Sequence, residues 1–321
     1  MLRQLLSTAT LISAALLAAA VPGKLQARDQ RPVFAISHKV MDVIHLKDAL
    51  YDQIPAVEID LTAWRKGDKG KSDSPAESNR WWLDHDGDGI NYGDPADVML
   101  EAIGNEGEGK LAFVVLDIKT PDYCDVDEEG CGMAELVKMV QDLVLSKGVG
   151  VVYGITTPDD ADTPAFQHIV KNLDDDASVR ITGQTELALK AFEEHGADIP
   201  TGKRIIDYGN PYLKNGDPPF GKCERVEGSK DVCPNLVHAI EERDNGNLGG
   251  VFMWTVGSSD GDGEKTNQAL DAGVDGIVLG YAFAEGEDSE RTIEAHGHVI
   301  SWAADHTDTA KLGTSDERPW S

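Results

Sequence analysis

Several apolar, strand-like runs of this 321-residue chain end in side chains that can ionise. VFAIS leads into His38, AVEIDL carries Glu58 and Asp60, and LAFVVLDIK carries Asp117 and Lys119, while a short loop in WWLDHDGDG offers His85. An apolar strand has no packing reason to finish in an acid or an imidazole, because an unpaired buried charge costs several kcal/mol or is neutralised. Glu58 and Asp60 stand two apart on a strand and so point to one face. Two facing carboxylates repel unless a cation sits between them, and Asp117, at the matching end of a later strand, completes an oxygen-rich set suited to Mg2+. One of these acids could instead pair with Lys119 or an arginine in a structural ion pair. Two histidines beside the acids suit a nucleophile or base on one side of a phosphate and an acid on the other. Lys119 shares the face of Asp117 and can reach a phosphate oxygen. The chemistry expected is metal-assisted phosphoryl transfer.

Ionisable groups at the same end of successive strands are how a parallel α/β barrel assembles a site. Eight candidate strands lie at about 33–38, 56–61, 111–118, 150–156, 178–183, 203–208, 249–256 and 276–281. The central ones are near-continuous Val, Ile, Leu and Phe, the composition of strands covered on both faces. Helical patterns such as ADVMLEAIGNEG, MAELVKMVQDLVLSKG and TELALKAFEEHG separate them, several stopping at Gly. Eight alternations predict a single (β/α)8 TIM barrel over an open sheet. No linker divides the chain and no internal repeat is evident.

Residues 1–27 read as a secretory signal peptide, with Arg3 before the apolar stretch Leu5 to Val21 and cleavage after Ala20 or Ala27. The apolar run is short of the roughly 20 residues a membrane span needs, and no other stretch approaches that length, so no transmembrane segment is expected. Residues 28–321 form one domain, ending in a tail at 313–321. The leader contributes only Arg3 and Lys24 as charges, so the net charge of −28 becomes about −30 once it is removed. Such a chain repels nucleic acid and anionic lipid surfaces. It tolerates a zwitterionic or cationic substrate group better than a polyanion. In a secreted chain the four cysteines are expected to pair locally, Cys124 with Cys131 and Cys223 with Cys233, and their spacing does not resemble zinc pairs. Asp84-His85-Asp86-Gly87-Asp88-Gly89 opens like a calcium loop, but Pro95 stands where a bidentate Glu is needed, so an EF-hand is not expected. The other seven histidines lie in helices or polar loops and are read as structural.

RPVFAISHKV, AVEIDL, the His85 loop, VVLDIK, GVFMWTVG and QALDAGVDGIVLGY together, in that order, resemble the sphingomyelinase D/phospholipase D toxins of spider venoms. The chain looks more similar still to secreted fungal and bacterial relatives within the glycerophosphodiester phosphodiesterase-like superfamily. The resemblance spans about Arg31 to Trp320. It implies a TIM barrel of the phospholipase C-like phosphodiesterase type, with one Mg2+ held by Glu58, Asp60 and Asp117. It implies His38 as the nucleophilic histidine, His85 as general acid/base, Lys119 on the phosphate, and Trp254 lining the pocket. A tryptophan face can hold a choline group by cation–π contact. The family cleaves choline phospholipids on the alcohol side of the headgroup, often by internal attack of a hydroxyl to give a cyclic phosphate.

Departures bear on headgroup preference. Gly257 follows the Trp-Thr-Val run where the spider toxins have an acid, and Phe252 stands where an aromatic with a hydroxyl is common. The disulfide that the spider enzymes place in the loop after the second histidine is missing here. In the tail Thr314, Pro319 and Trp320 match the family pattern while Gly313, Glu317 and Arg318 do not; in the family that tail caps the far end of the barrel.

The function expected is that of a secreted, monomeric, Mg2+-dependent sphingomyelinase D-type enzyme acting on choline phospholipid at a membrane surface. The alternatives are a glycerophosphodiester phosphodiesterase on soluble diesters and a non-catalytic lipid-binding barrel. Lys39-Val40 after the first histidine, in place of an Arg-Gly, weighs against the first alternative. Trp81-Trp82, beside His85, are candidates for a lipid-touching rim and could equally pack under the loop.

Overall fold

The computed structural model describes residues 30–68, 76–87, 92–211, 216–257, 262–280 and 289–320. The leader expected at residues 1–27 and the last two residues of the DHDGDG loop lie outside them. Eight parallel strands close into a barrel: β1 (Arg31–Ser37), β2 (Ala56–Trp64), β5 (Phe113–Ile118), β6 (Gly150–Ile155), β7 (Ala177–Thr182), β8 (Arg204–Gly209), β9 (Gly250–Val256) and β10 (Gly276–Leu279). Closure comes from β1, whose Ile36 and Ser37 pair with Ala56 and Val57 of β2 while Phe34 to Ser37 pair with β10. These are the eight strands read from the sequence.

Helices α1 (Val43–Tyr51), α2 (Ala96–Gly107), α3 (Met133–Leu143), α4 (Pro164–Lys171), α5 (Thr185–His195), α6 (Val232–Asp244), α7 (Asp262–Ala272) and α8 (Ser289–Asp305) follow the strands in turn. Asp42 caps α1 by accepting from His45 N at 2.9 Å, and Thr163 caps α4 by accepting from Phe166 N at 3.2 Å. Three further strands extend the same sheet. β3 (Arg80–Asp84) runs antiparallel to β2, β4 (Tyr92–Pro95) pairs with β3, and β11 (Ala310–Leu312) lies along the first half of β1. No helix among the described residues is long and apolar enough to cross a membrane.

The inward faces of the barrel strands divide into an apolar lower part and a charged upper part. Below, Phe34, Ile36, Phe113, Val115, Val152, Ile205, Phe252 and Val278 form a dry plug. Phe113 is its centre, edge-on to Phe34 at 5.2 Å, stacked on Phe252 at 5.9 Å and edge-on to Trp320 of the tail at 5.5 Å. Phe252 therefore fills the barrel floor, so its missing hydroxyl does not bear on headgroup choice. Trp320 is only 8% exposed, and Trp320→Ala is expected to destabilise the protein by about 3–5 kcal/mol. Chemical denaturation measures that loss, and turnover per folded molecule should not change, because the tail lies at the end of the barrel opposite the charged groups.

Both expected disulfides are present, Cys124–Cys131 and Cys223–Cys233, and no described cysteine is free. The first closes a loop that holds the β2–β3 hairpin. Within it, Glu128 accepts from Arg65 Nη2 at 2.7 Å and Arg65 Nε at 3.0 Å. On the hairpin side, Trp81 is fully buried and donates from Nε1 to Gly132 O at 3.1 Å. Trp81 is thus a core residue and no part of a lipid-touching rim. Trp82 is half-buried, with the Arg80 guanidinium 5.5 Å from its ring. This neighbouring loop thus ties down the β2–β3 hairpin that leads to His85.

Candidate active site

Register delivers the acids to one place. Glu58 and Asp60 alternate inward on β2, and Asp60 stands directly opposite Asp117 of β5. One oxygen from each of Glu58, Asp60 and Asp117 lies within 4.8 Å of the other two. All three residues are buried. Backbone at the end of β1 locks the first of them: Lys39, with φ of +58°, donates its N–H to Glu58 Oε2 at 2.8 Å. Holding a lysine in that left-handed conformation costs on the order of 1 kcal/mol, so the contact is imposed by the surrounding fold. Val40 N then donates to Glu58 O at 2.9 Å, and His38 N to Leu279 O at 2.8 Å, which fixes His38 at the mouth.

Lys119 reaches back into the acids. Its Nζ lies 2.5 Å from Asp117 Oδ2 and 2.8 Å from Asp60 Oδ1. The second contact is close enough for an ion pair but is not aligned as a hydrogen bond, and neither oxygen of Asp60 receives one. The structural ion pairs considered from sequence therefore coexist with the acid cluster. Two charged residues that the sequence reading passed over lie beneath. Arg180 Nη2 donates to Asp117 Oδ1 at 2.8 Å, and its Nη1 is 3.1 Å from Asp207 Oδ2. Their signal was present in VRIT and RIIDYG, where a charge interrupts an apolar strand just as at Glu58 and Asp60.

The charge balance is uneven. Among the described residues, the carboxylates of Glu58, Asp60, Asp117 and Asp207 cluster around two ion-pairing cations, Lys119 and Arg180, so that this group has a formal surplus of two negative charges. Burial, reinforced by Asp60 and Asp117, pushes the Glu58 carboxyl well above its usual range. Burial pushes Asp117 upward too, but Lys119 and Arg180 override it and hold that carboxyl well below the usual range. Lys119 is held above its ordinary value, its burial outweighed by Asp117, Asp60 and Glu58. The donor set of three hard oxygens, one from each acid, with neither oxygen of Asp60 in a hydrogen bond, fits a divalent cation.

The two histidines differ. Burial, aided by the nearby His85, Lys119 and Lys39 charges and opposed by Asp60, pushes His38 down to about 4. It is an uncharged imidazole at neutral pH, and its Nδ1 is buried without a partner. His85 is half-buried just beyond β3, with Nδ1 2.6 Å from Asp86 Oδ1, and near enough for its charge to bear on both His38 and Asp117. The turn that presents it is tied by Asp84, whose Oδ1 accepts from Gly87 N at 3.0 Å and whose carbonyl accepts from Thr62 Oγ1 at 2.6 Å. The first acid of the calcium-like motif is thus fully buried as a turn fastener.

Trp254 lies two residues before the end of β9, half-buried against the barrel plug. Its carbonyl accepts from Asn210 N at 3.0 Å. Gly209 alongside has no room for a side chain, since a Cβ there would lie 1.6 Å from the Trp254 carbonyl oxygen. Close strand approach therefore sets the tryptophan's position. A groove of about 270 Å3 opens beside Gly87, lined among others by Thr62, Trp64, Thr120 and Tyr123.

Known proteins match this chain along nearly the whole barrel. The family described as Sphingomyelinase D/Phospholipase D matches residues 28–320. A sphingomyelinase D of Ajellomyces capsulatus is 33% identical over 307 residues, covering 91% of this chain and 89% of the relative. One from Aspergillus flavus is 31% identical, covering 91% of each. A dermonecrotic toxin of Loxosceles hirsuta is 25% identical, over 66% of this chain and 71% of its own length. A match over nearly the full barrel, together with two relatives above 30% identity, makes the chain a member of the sphingomyelinase D/phospholipase D family, an enzyme that cleaves phosphodiesters.

Proposed function

We propose that the protein is an extracellular, Mg2+-dependent sphingomyelinase D-type enzyme. It releases choline-type headgroups from sphingomyelin and lysophospholipids, acts as a monomer at the membrane surface, and leaves a cyclic phosphate. The observation that carries this reading is the buried triad Glu58, Asp60 and Asp117, whose oxygens lie within 4.8 Å of each other beside two histidines. Those three residues would hold the cation, which neutralises charge building on the phosphoryl oxygens when bound. His38, uncharged in its buried position, takes the proton of the substrate's own neighbouring hydroxyl as that oxygen attacks phosphorus. His85, at the rim, gives a proton to the departing choline oxygen as the P–O bond breaks. Lys119 steadies the phosphate, and Trp254 offers its ring face to the quaternary ammonium. The groove beside Gly87 gives room for the part of the lipid beyond the phosphate. Two disulfides support an oxidising, extracellular setting.

Phosphorus-31 NMR of sphingomyelin and lysophosphatidylcholine incubated with protein and Mg2+ tests the reading. A cyclic-phosphate signal that disappears in His38→Ala and in EDTA is expected. Unchanged lipids with turnover of glycerophosphocholine would move the assignment to a soluble-diester phosphodiesterase, and no reaction on any diester would leave a silent lipid-binding barrel.

A further inference from the structure

We propose that Arg180 and Asp207 are positioning residues: the buried chain Asp117–Arg180–Asp207 holds Asp117 by Oδ1, reserving Oδ2 for Lys119 and the cation. This inference rests on reading Glu58, Asp60 and Asp117 as the cation site.

Arg180 is 4% exposed and Asp207 1%. An ion pair that deep is often no more stabilising than apolar residues of the same volume. The same barrel interior is filled that way at Val115, Val152 and Ile205, so stability does not account for the pair. Its geometry does have a use. The planar guanidinium spends one nitrogen on each of two carboxylates, Nη2 on Asp117 Oδ1 at 2.8 Å and Nη1 on Asp207 Oδ2 at 3.1 Å. Asp207 thereby sets the plane of the fork, and the fork sets the rotation of the Asp117 carboxylate. Asp207 also cancels the arginine's charge, so that Asp117 is oriented without a net positive charge facing a bound cation.

The intervening strand is cut to suit. In register, Asp117 stands opposite Gly154 and Gly154 opposite Arg180. A Cβ on Gly154 would lie 2.7 Å from Arg180 Nη2 and 2.9 Å from its Cζ. Only a strand without a side chain at that point lets the guanidinium cross from β7 to Asp117 on β5. The next strand, β8, supplies Asp207 opposite Thr182.

The test is calorimetric titration of Mg2+ or Mn2+ into EDTA-stripped, dialysed full-length protein, alongside thermal unfolding. Arg180→Met/Asp207→Leu removes one positive and one negative charge together, so the net charge around the cation is unchanged. It is expected to fold and to bind the cation 10–100-fold more weakly than wild type, the usual effect of removing a group that orients a metal ligand. Arg180→Lys, which keeps the charge but loses the fork, is expected to weaken binding by roughly tenfold, and it carries the test if the double variant does not fold. Wild-type affinity in either folded variant overturns the proposal. So does tighter binding in Arg180→Met alone with an unchanged double variant, because that pattern belongs to charge and not to orientation. A wild type without saturable binding, indistinguishable from Asp60→Asn, overturns the cation-site reading itself and this inference with it.

Discussion

Asp60→Asn is expected to lower kcat/KM on sphingomyelin by at least about 10³-fold, equivalent to roughly 4 kcal/mol of transition-state stabilisation. Asp60 is fully buried, and neither of its oxygens accepts a hydrogen bond. Evolution tolerates such a group only where something else satisfies it. Lys119, at 2.8 Å from Oδ1, offsets part of its charge, but the buried acids still outnumber their ion-pairing cations, Lys119 and Arg180. The amide is isosteric, so the barrel should fold, and it also removes repulsion that pushes Glu58 upward. The metal-free variant should therefore be no less stable than metal-free wild type. A ligand at 100 times its Kd adds about 2.7 kcal/mol to stability, so Mg2+ should raise the melting temperature of wild type and leave that of Asp60→Asn unmoved. Near-normal turnover in Asp60→Asn would remove the acid cluster from the chemistry.

The barrel strands were legible because a strand covered on both faces must be almost wholly apolar. A charge at its end then stands out, which is how Glu58, Asp60 and Asp117 could be picked from type and spacing. Arg180 and Asp207 obey the same logic on β7 and β8, yet each sits mid-run and alone, without an i+2 partner to mark the face. Their joint meaning depends on Arg180 reaching Asp117 across Gly154 while Asp207 comes from the neighbouring β8, relations that exist only in the folded barrel. The β3–β4 hairpin was hidden for a different reason. RWWLD is short and runs straight into the Asp84–Gly87 turn, so turn chemistry masks the strand and leaves Trp81 open between a rim group and one packed beneath the loop. Helix α8 was also passed over, since Gly297 and two histidines, His296 and His298, break up its apolar stripe. The local disulfides, by contrast, follow from spacing and compartment, because each staples one loop.

His38→Gln is expected to lose about 10³–10⁴-fold in kcat/KM, the range for removing a positioned proton-transfer group. Its effect on stability should run the other way in acid. In the unfolded chain an imidazole titrates near 6.5, whereas burial pushes His38 down to about 4 in the folded protein. A depressed folded value means that the unfolded state takes up the proton first. The stability tied to a neutral His38 is therefore complete above pH 6.5, drains away as pH falls toward 4, and amounts to about 3 kcal/mol in all. Glutamine carries no proton to take up, and groups common to both proteins cancel in the comparison. Between pH 7.5 and pH 4.5 the unfolding free energy of His38→Gln should accordingly gain on wild type by roughly 2–3 kcal/mol, read by urea titration in EDTA at each pH. The same depressed value places the contribution of His38 to the acid limb of the wild-type rate profile near pH 4, so the base stays uncharged throughout the neutral range. Parallel stability curves for the two proteins would mean that His38 protonates as freely folded as unfolded. A freely protonating imidazole would be charged below pH 6.5 and could not serve there as the base that accepts the attacking hydroxyl's proton.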